Sequence, residues 1–332
     1  MDFQENWFDD IDIPELRHYV RRPSLTAANG FFWGTAAMFA VFQAVIPVFY
    51  WLLNAVWDIS RTGYTTAAQM LMYVGGMLMP VMIYMLSRPA ETEAFRLRPA
   101  PAKRTWLSAA AALPGYLAAA FLSVLWLVLL ETLGLRSTAN DIMSGSLFVD
   151  LLVISLMPAL CEELLFRGLI LGAYERWGTW RAIWISAFMF ASMHGSVAGF
   201  PVHLLLGVVL GFVAASTGSV VPGMALHAVY NAVAVILSYV SAGQDTGVYV
   251  PMIEQIGGAM GVAACFTLTL VSIGLFLWVL RALDRMRIRA DEPFGTDAVI
   301  EHKKMDRTEI ILLASGIATV IWFYVQDILS ML

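Results

Sequence analysis

Long apolar runs separated by short polar segments make up most of this sequence. A run of about 20 apolar residues is long enough for a helix to cross a bilayer. The hydrocarbon core offers no hydrogen-bond partners, so spanning segments fold as helices or closed barrels, and runs of this length favour helices. The apolar runs cover residues 31–57, 66–86, 106–133, 147–174, 181–193, 201–216, 222–239, 256–280 and 310–329. The pattern predicts an all-α, polytopic transmembrane helix bundle of eight or nine spans.

Polar segments that carry both proline and charge divide these runs into regions. Residues 87–105 and 281–308 are predicted to be aqueous loops for this reason. The predicted organisation is a cytoplasmic N-terminal segment at 1–27, N-terminal transmembrane helices at 28–146, a transmembrane core at 147–240, and C-terminal transmembrane helices with a basic cytoplasmic loop at 241–332.

Composition agrees with a membrane protein and excludes two other classes. Hydrophobic residues make up 59% of the 332 residues and charged residues only 14%, whereas a soluble domain carries about 25% charged residues. The chain therefore lacks the polar surface of a soluble domain, and it is too apolar to be disordered. Cys161 and Cys265 lie in apolar runs and indicate neither a disulfide framework nor a cysteine metal site. The acidic first 22 residues differ from a cleaved signal peptide.

The sign of the charges between the runs predicts the orientation. With nine spans and the N-terminus inside, 18 of the 20 Lys and Arg residues fall in cytoplasmic segments, and only Arg61 and Arg136 do not. Cytoplasmic loops are enriched in such residues, so we expect an integral plasma-membrane protein with a cytoplasmic N-terminus. The uncharged turn at 217–223 departs from this pattern. It is either a tight turn at the surface or a turn sunk below the interface, where protein must cover it or it must line a cavity.

The fourth run contains three charged residues, Glu162, Glu163 and Arg167. A charge at the centre of a span costs about 2.5–3.5 kcal/mol, so such residues are candidates for function. Glu163 and Arg167 are four residues apart, so they share a helix face and can form an ion pair. Glu162 points about 100° away from Glu163 and has no local partner. A buried carboxylate of this kind is suited to act as a general base.

Polar side chains in neighbouring runs are predicted to lie at a similar depth. At 1.5 Å per residue from the predicted cytoplasmic ends, Glu162 lies about 18 Å and His194 about 20 Å inside. His227 and Asn231 share one helix face, and they reach this depth only if the 217–223 turn is sunk. We therefore expect these side chains to line a polar cavity within the membrane. There, Glu162 would take a proton from a water molecule that His194 holds or polarises, directly or through a metal. His227 and Asn231 would then bind an oxyanion, which predicts hydrolysis or acyl transfer.

Three short motifs on successive runs carry these residues. They are Glu162-Glu163-Leu-Leu-Phe-Arg167, Phe190-Ala-Ser-Met-His194 and His227-Ala-Val-Tyr-Asn231. In content and order they resemble the EExxxR, FxxxH and HxxxN pattern of the CAAX protease and bacteriocin-processing (CPBP) family of intramembrane endopeptidases, which includes the type II prenyl-protein endopeptidases. The resemblance covers about residues 147–240, so this core is the predicted catalytic region.

The resemblance implies a fold similar to an eight-helix bundle that surrounds a conical cavity. It also implies an endopeptidase that cuts a membrane-associated, lipidated or peptide substrate. It implies catalytic roles for Glu162, Glu163, His194, His227 and Asn231. It implies a structural or substrate-orienting role for Arg167 and Phe190. Two alternatives stay open for the cofactor: a zinc bound by His194 and His227, or a metal-free mechanism of Glu and His side chains.

Further expectations concern partners and a competing function. The expected partners are the lipid bilayer and a peptide or protein substrate, with no nucleic acid, and the sequence leaves the oligomeric state open. The competing function is that of a non-proteolytic bacteriocin-immunity protein or membrane partner protein of the same fold. His203 is expected to be a residue of the membrane interface rather than a ligand.

Overall fold

The computed structural model describes residues 21–136, 144–241, 254, 257–286 and 304–332. We number nine helices in this part of the chain, one in each apolar run, and the described residues contain no strand. The helices are α1 (Leu25–Asn54), α2 (Arg61–Ser87), α3 (Ala102–Thr132), α4 (147–174), α5 (Thr179–Met193), α6 (Phe200–Thr217), α7 (Val221–Ser241), α8 (Gly258–Arg285) and α9 (Arg307–Met331). The prediction of an all-α, polytopic bundle is confirmed.

Seven of these helices are long and apolar enough to cross a membrane, compared with the eight or nine spans predicted. The two that do not qualify are α4 and α5. Helix α4 carries Glu162, Glu163 and Arg167, which lower its hydropathy. Helix α5 has 15 residues, which give it a length of only about 22 Å. The protein is thus an integral membrane protein, and the two helices that are too polar or too short to count as spans are adjacent in sequence.

Helix α4 contacts α1, α2, α5, α6 and α7, and its residues 161–174 are all buried. Protein rather than lipid therefore surrounds its charged side chains. Two stretches of α4, Leu151–Leu156 and Glu163–Ile170, form wider π-helical turns. Such turns occur frequently at functional sites because they rotate the side chains that follow.

Small residues let α5 and α6 approach closely beside α4. A Cβ atom added at Gly207 would lie 2.9 Å from Cα of Ala187, and one added at Gly211 would lie 3.1 Å from the side chain of Ile183. Close contact at small residues is a common way for membrane helices to associate, since lipid provides no hydrophobic drive. This contact also brings the backbone carbonyl of Gly207 within reach of α4.

The turn between α6 and α7 is covered by protein, which is one of the surroundings that a sunken turn at residues 217–223 requires, and its depth in the membrane stays a prediction. Residues 216–220 are all buried. Nε of Arg98 donates to the carbonyl of Gly218 at 2.7 Å, and Nη1 of Arg104 donates to the carbonyl of Thr217 at 3.4 Å. The segment between α2 and α3 and the first turn of α3 therefore donate hydrogen bonds to the carbonyls of this uncharged turn.

Candidate active site

Glu162 and Glu163 lie at the junction of the α-helical and π-helical parts of α4, and both are buried. The two carboxylates have different surroundings. The hydroxyl of Tyr73, on α2, donates to Oε1 of Glu162 at 3.3 Å. Oε2 of Glu162 has no hydrogen-bond partner among the described residues. Glu162 is therefore anchored through one oxygen and free at the other.

Glu163 and Arg167 form the ion pair that their spacing predicts, with Nη1 of Arg167 2.8 Å from Oε1 of Glu163 and both side chains fully buried. Nη2 of Arg167 donates to the carbonyl of Gly207 on α6 at 3.0 Å. Its Cζ lies 4.4 Å from the ring centroid of Phe190 on α5, within cation–π range. The guanidinium therefore compensates a buried carboxylate and joins α4 to α5 and α6.

His227, on α7, lies between the two carboxylates. Its Nδ1 is 3.1 Å from Oε1 of Glu163, and its Nε2 is 3.8 Å from Oε2 of Glu162. A carboxylate accepts hydrogen bonds, so Nδ1 carries the hydrogen, and in the neutral ring Nε2 is an acceptor. The unpaired oxygen of Glu162 and the unprotonated nitrogen of His227 therefore face each other across a short gap.

Asn231, one turn after His227, contacts α4. Its Nδ2 donates to the carbonyl of Ile154 at 3.3 Å. That carbonyl is available because Pro158, four residues later, has no backbone N–H to donate to it. An asparagine amide has two hydrogens, so one remains for another acceptor. The oxyanion-binding role of His227 and Asn231 stays a prediction.

His194 follows the last residue of α5, and Gly195 ends the helix there with a φ of 58° in the left-handed region. The Nδ1 of His194 donates to the carbonyl of Phe190 at 2.9 Å, which leaves Nε2 without a hydrogen in the neutral ring. His194 is exposed, whereas Glu162 and His227 are buried. It therefore lies at the accessible side of the polar cluster.

Phe190 explains the FxxxH spacing, because its ring is a common contact for the polar side chains. It makes edge contacts with the rings of His194 and His227, at centroid distances of 4.8 and 5.7 Å, and with Phe166 at 5.4 Å. Arg167 lies over the same ring. These contacts hold the polar side chains together, and the structural or substrate-orienting role of Phe190 stays a prediction.

The sequence interpretation missed Tyr73 and assigned His203 to the membrane interface. The structure instead stacks the ring of His203 on that of His194, with centroids 3.7 Å apart and planes at 18°. The available signal was the short link between α5 and α6, which brings the first turn of α6 beside the end of α5. Nothing in the sequence around Tyr73 distinguishes it from other tyrosines in apolar runs.

The side chains do not fit the zinc site considered above. In the described part of the chain, no group of three or more His, Cys, Asp and Glu side chains is arranged to hold a metal ion. Nδ1 of His227 is already engaged by Glu163, and its Nε2 faces a single carboxylate oxygen. No step below therefore passes through a metal.

Fold and site together define a class: a helical integral membrane protein with a buried cluster of Glu and His side chains. Residues 144–233 match the family described as Type II CAAX prenyl endopeptidase Rce1-like. This stretch contains all three motifs, so the resemblance to CAAX proteases is confirmed for this part of the chain. No curated protein and no solved structure matches the chain.

Proposed function

We propose that the protein is an intramembrane endopeptidase that hydrolyses a peptide bond of a membrane-associated, lipidated or peptide substrate. One observation carries this proposal: Oε2 of Glu162, buried and without a protein partner, faces Nε2 of His227 at 3.8 Å. A base and an acceptor nitrogen at this separation suit a water molecule that is to be deprotonated. The Rce1-like region around them supports the protease class.

In the proposed reaction, Glu162 accepts a proton from water as the water oxygen bonds to the carbonyl carbon of the scissile peptide. The tetrahedral intermediate then collapses, the C–N bond breaks, and the amine leaves with the proton that Glu162 held. His194 offers its free Nε2 to the same water. His227 starts neutral, takes up one proton at Nε2 from solvent as negative charge develops on the carbonyl oxygen, donates to that oxyanion, and returns the proton to solvent when the intermediate collapses. Glu163 stabilises the imidazolium in between, as the aspartate of a catalytic triad does. Asn231 supplies its second amide hydrogen.

A cleavage assay tests this function in reconstituted membranes. Liposomes containing the purified protein, or its Glu162→Gln variant, are given an internally quenched, prenylated peptide that ends in a CAAX sequence. In parallel, new peptide termini are compared by mass spectrometry in cells that express either form. Cleavage that requires Glu162 supports the proposal. A protein whose cellular effect is the same in both forms, with no peptide cut, would instead be a non-proteolytic immunity or partner protein.

The metal-free alternative is the one we propose, because the described donor atoms do not group as a zinc site. Peptide cleavage is therefore expected to persist, within about twofold, after the reconstituted protein is dialysed against a zinc chelator. Metal content measured by mass spectrometry is the control that shows removal was complete. Activity that is lost with the metal and restored by added zinc would contradict this mechanism.

We also propose that the protein lies in the plasma membrane with its N-terminus in the cytoplasm. The placement of 18 of its 20 Lys and Arg residues in predicted cytoplasmic segments supports this orientation. A protease added to sealed inside-out vesicles should remove a tag fused to the N-terminus. The same tag should survive in right-side-out vesicles, and the reverse result would overturn the orientation.

A further inference from the structure

The contact between Tyr73 and Glu162 joins the candidate site to a helix outside the family region. Tyr73 lies on α2, and the Rce1-like match covers residues 144–233. Its hydroxyl donates to Oε1 of Glu162 at 3.3 Å. None of the three motifs includes this residue.

Helix α2 changes its winding immediately after Tyr73. Residues Val74–Leu78 form a π-helical turn that separates two α-helical parts of α2. Such a turn shifts the side chains on either side of it relative to a regular helix. Beside it, the end of the Met38 side chain, from α1, fills the space next to Gly76. Tyr73 is half-buried, packs against the hydrophobic core and contacts α4 through its hydroxyl, while α1 packs against the turn that follows it.

The two oxygens of a carboxylate are chemically equivalent until the protein makes them different. In Glu162 one oxygen accepts from Tyr73, and the other has no hydrogen-bond partner among the residues that the structure describes and faces His227. A hydrogen bond to one of the two oxygens restricts the rotation of the carboxylate group. The phenol therefore favours the carboxylate orientation in which the free oxygen points to the proposed water position.

We propose that Tyr73 is a positioning residue for the hydrolytic reaction, which it promotes by fixing the side chain of Glu162. This inference rests on the proposed function, since it assigns Tyr73 a role only through the general base. The hydroxyl contacts Oε1 of Glu162 and not the oxygen that faces His227. Without the hydroxyl, the Glu162 side chain samples orientations in which neither oxygen points to the proposed water position.

The test is the Tyr73→Phe variant, which removes one oxygen atom and keeps the ring. With the prenylated CAAX peptide as probe, kcat is expected to fall about 10- to 100-fold, because a misplaced catalytic group can cost about 100-fold. KM is expected to stay within about twofold. The control is Tyr64→Phe on the same helix, where the lost hydrogen bond goes to the carbonyl of Ile46. It is expected to retain wild-type kinetics.

Two further measurements separate positioning from a general structural effect. The melting temperatures of Tyr73→Phe and Tyr64→Phe in detergent are expected to agree within a few degrees. Adding Tyr73→Phe to Glu162→Gln should not lower residual cleavage further, because a residue that acts through the base has no effect once the base is gone. The proposal would be overturned if Tyr73→Phe raised KM without lowering kcat, or if it left both constants unchanged. It would also be overturned if the loss of activity in the double variant were the sum of the two single losses. If Glu162→Gln itself stays active, the proposed function fails, which is a different result.

Discussion

Replacing Glu162 with glutamine is expected to lower kcat for peptide cleavage by about 10²- to 10⁴-fold, the usual contribution of a general acid–base group. The amide has nearly the same shape and can still accept the hydrogen bond from Tyr73 at the carbonyl oxygen. It cannot take a proton from water at neutral pH. The variant should therefore fold, bind substrate and fail in the chemical step, which single-turnover kinetics with the quenched peptide would measure.

The matched control is Glu91→Gln. Glu91 also accepts a hydrogen bond from a tyrosine hydroxyl, that of Tyr84, but belongs to the segment after α2 and to none of the three motifs. The same chemical change there should leave kcat within about twofold of wild type. A folded Glu162→Gln variant with full activity would sink the general-base assignment.

Replacing Arg167 with methionine is expected to destabilise the fold by about 3–5 kcal/mol, the typical effect of removing one partner of a buried ion pair. Glu163 would stay buried with its charge uncompensated, and the carbonyl of Gly207 would lose its donor. Glu163 also holds His227 in place, so the loss of Arg167 is expected to displace His227 as well as to lower the free energy of unfolding. Thermal or denaturant unfolding in detergent micelles measures the change in stability.

Two variants show whether charge burial is the cause. Glu163→Gln combined with Arg167→Met removes both charges, and it should recover part of the loss, because no buried charge is left unpaired. Arg88→Met breaks a pair with Glu91, 4.0 Å apart, in which the arginine is 65% and the glutamate 14% exposed. Its effect should stay within about 1 kcal/mol. Equal losses for Arg167→Met and the double variant would show that shape, rather than charge, determines stability here.

The positions of the helices and the identity of the polar residues follow from the sequence by itself. An apolar run long enough to cross a bilayer is predicted to be a helix, because its backbone N–H and C=O groups find no hydrogen-bond partners in lipid. The structure has a helix in each of the nine runs. The Glu163–Arg167 pair was predictable for a similar reason, since two residues four apart share a face in any helix. A charged side chain in an apolar helix costs free energy, so such residues are rare there. Glu162, Glu163 and Arg167 are such residues, and they belong to the family motifs.

Only the tertiary structure decided which side chains meet. His227 lies between the two glutamates, Tyr73 anchors Glu162, and His203 stacks on His194. Each contact joins different helices, so it depends on how far those helices are rotated and how closely they approach. The rotation and separation of two helices are set by side-chain packing along their whole length and by irregular turns. The spacing of residues within one helix therefore does not predict them.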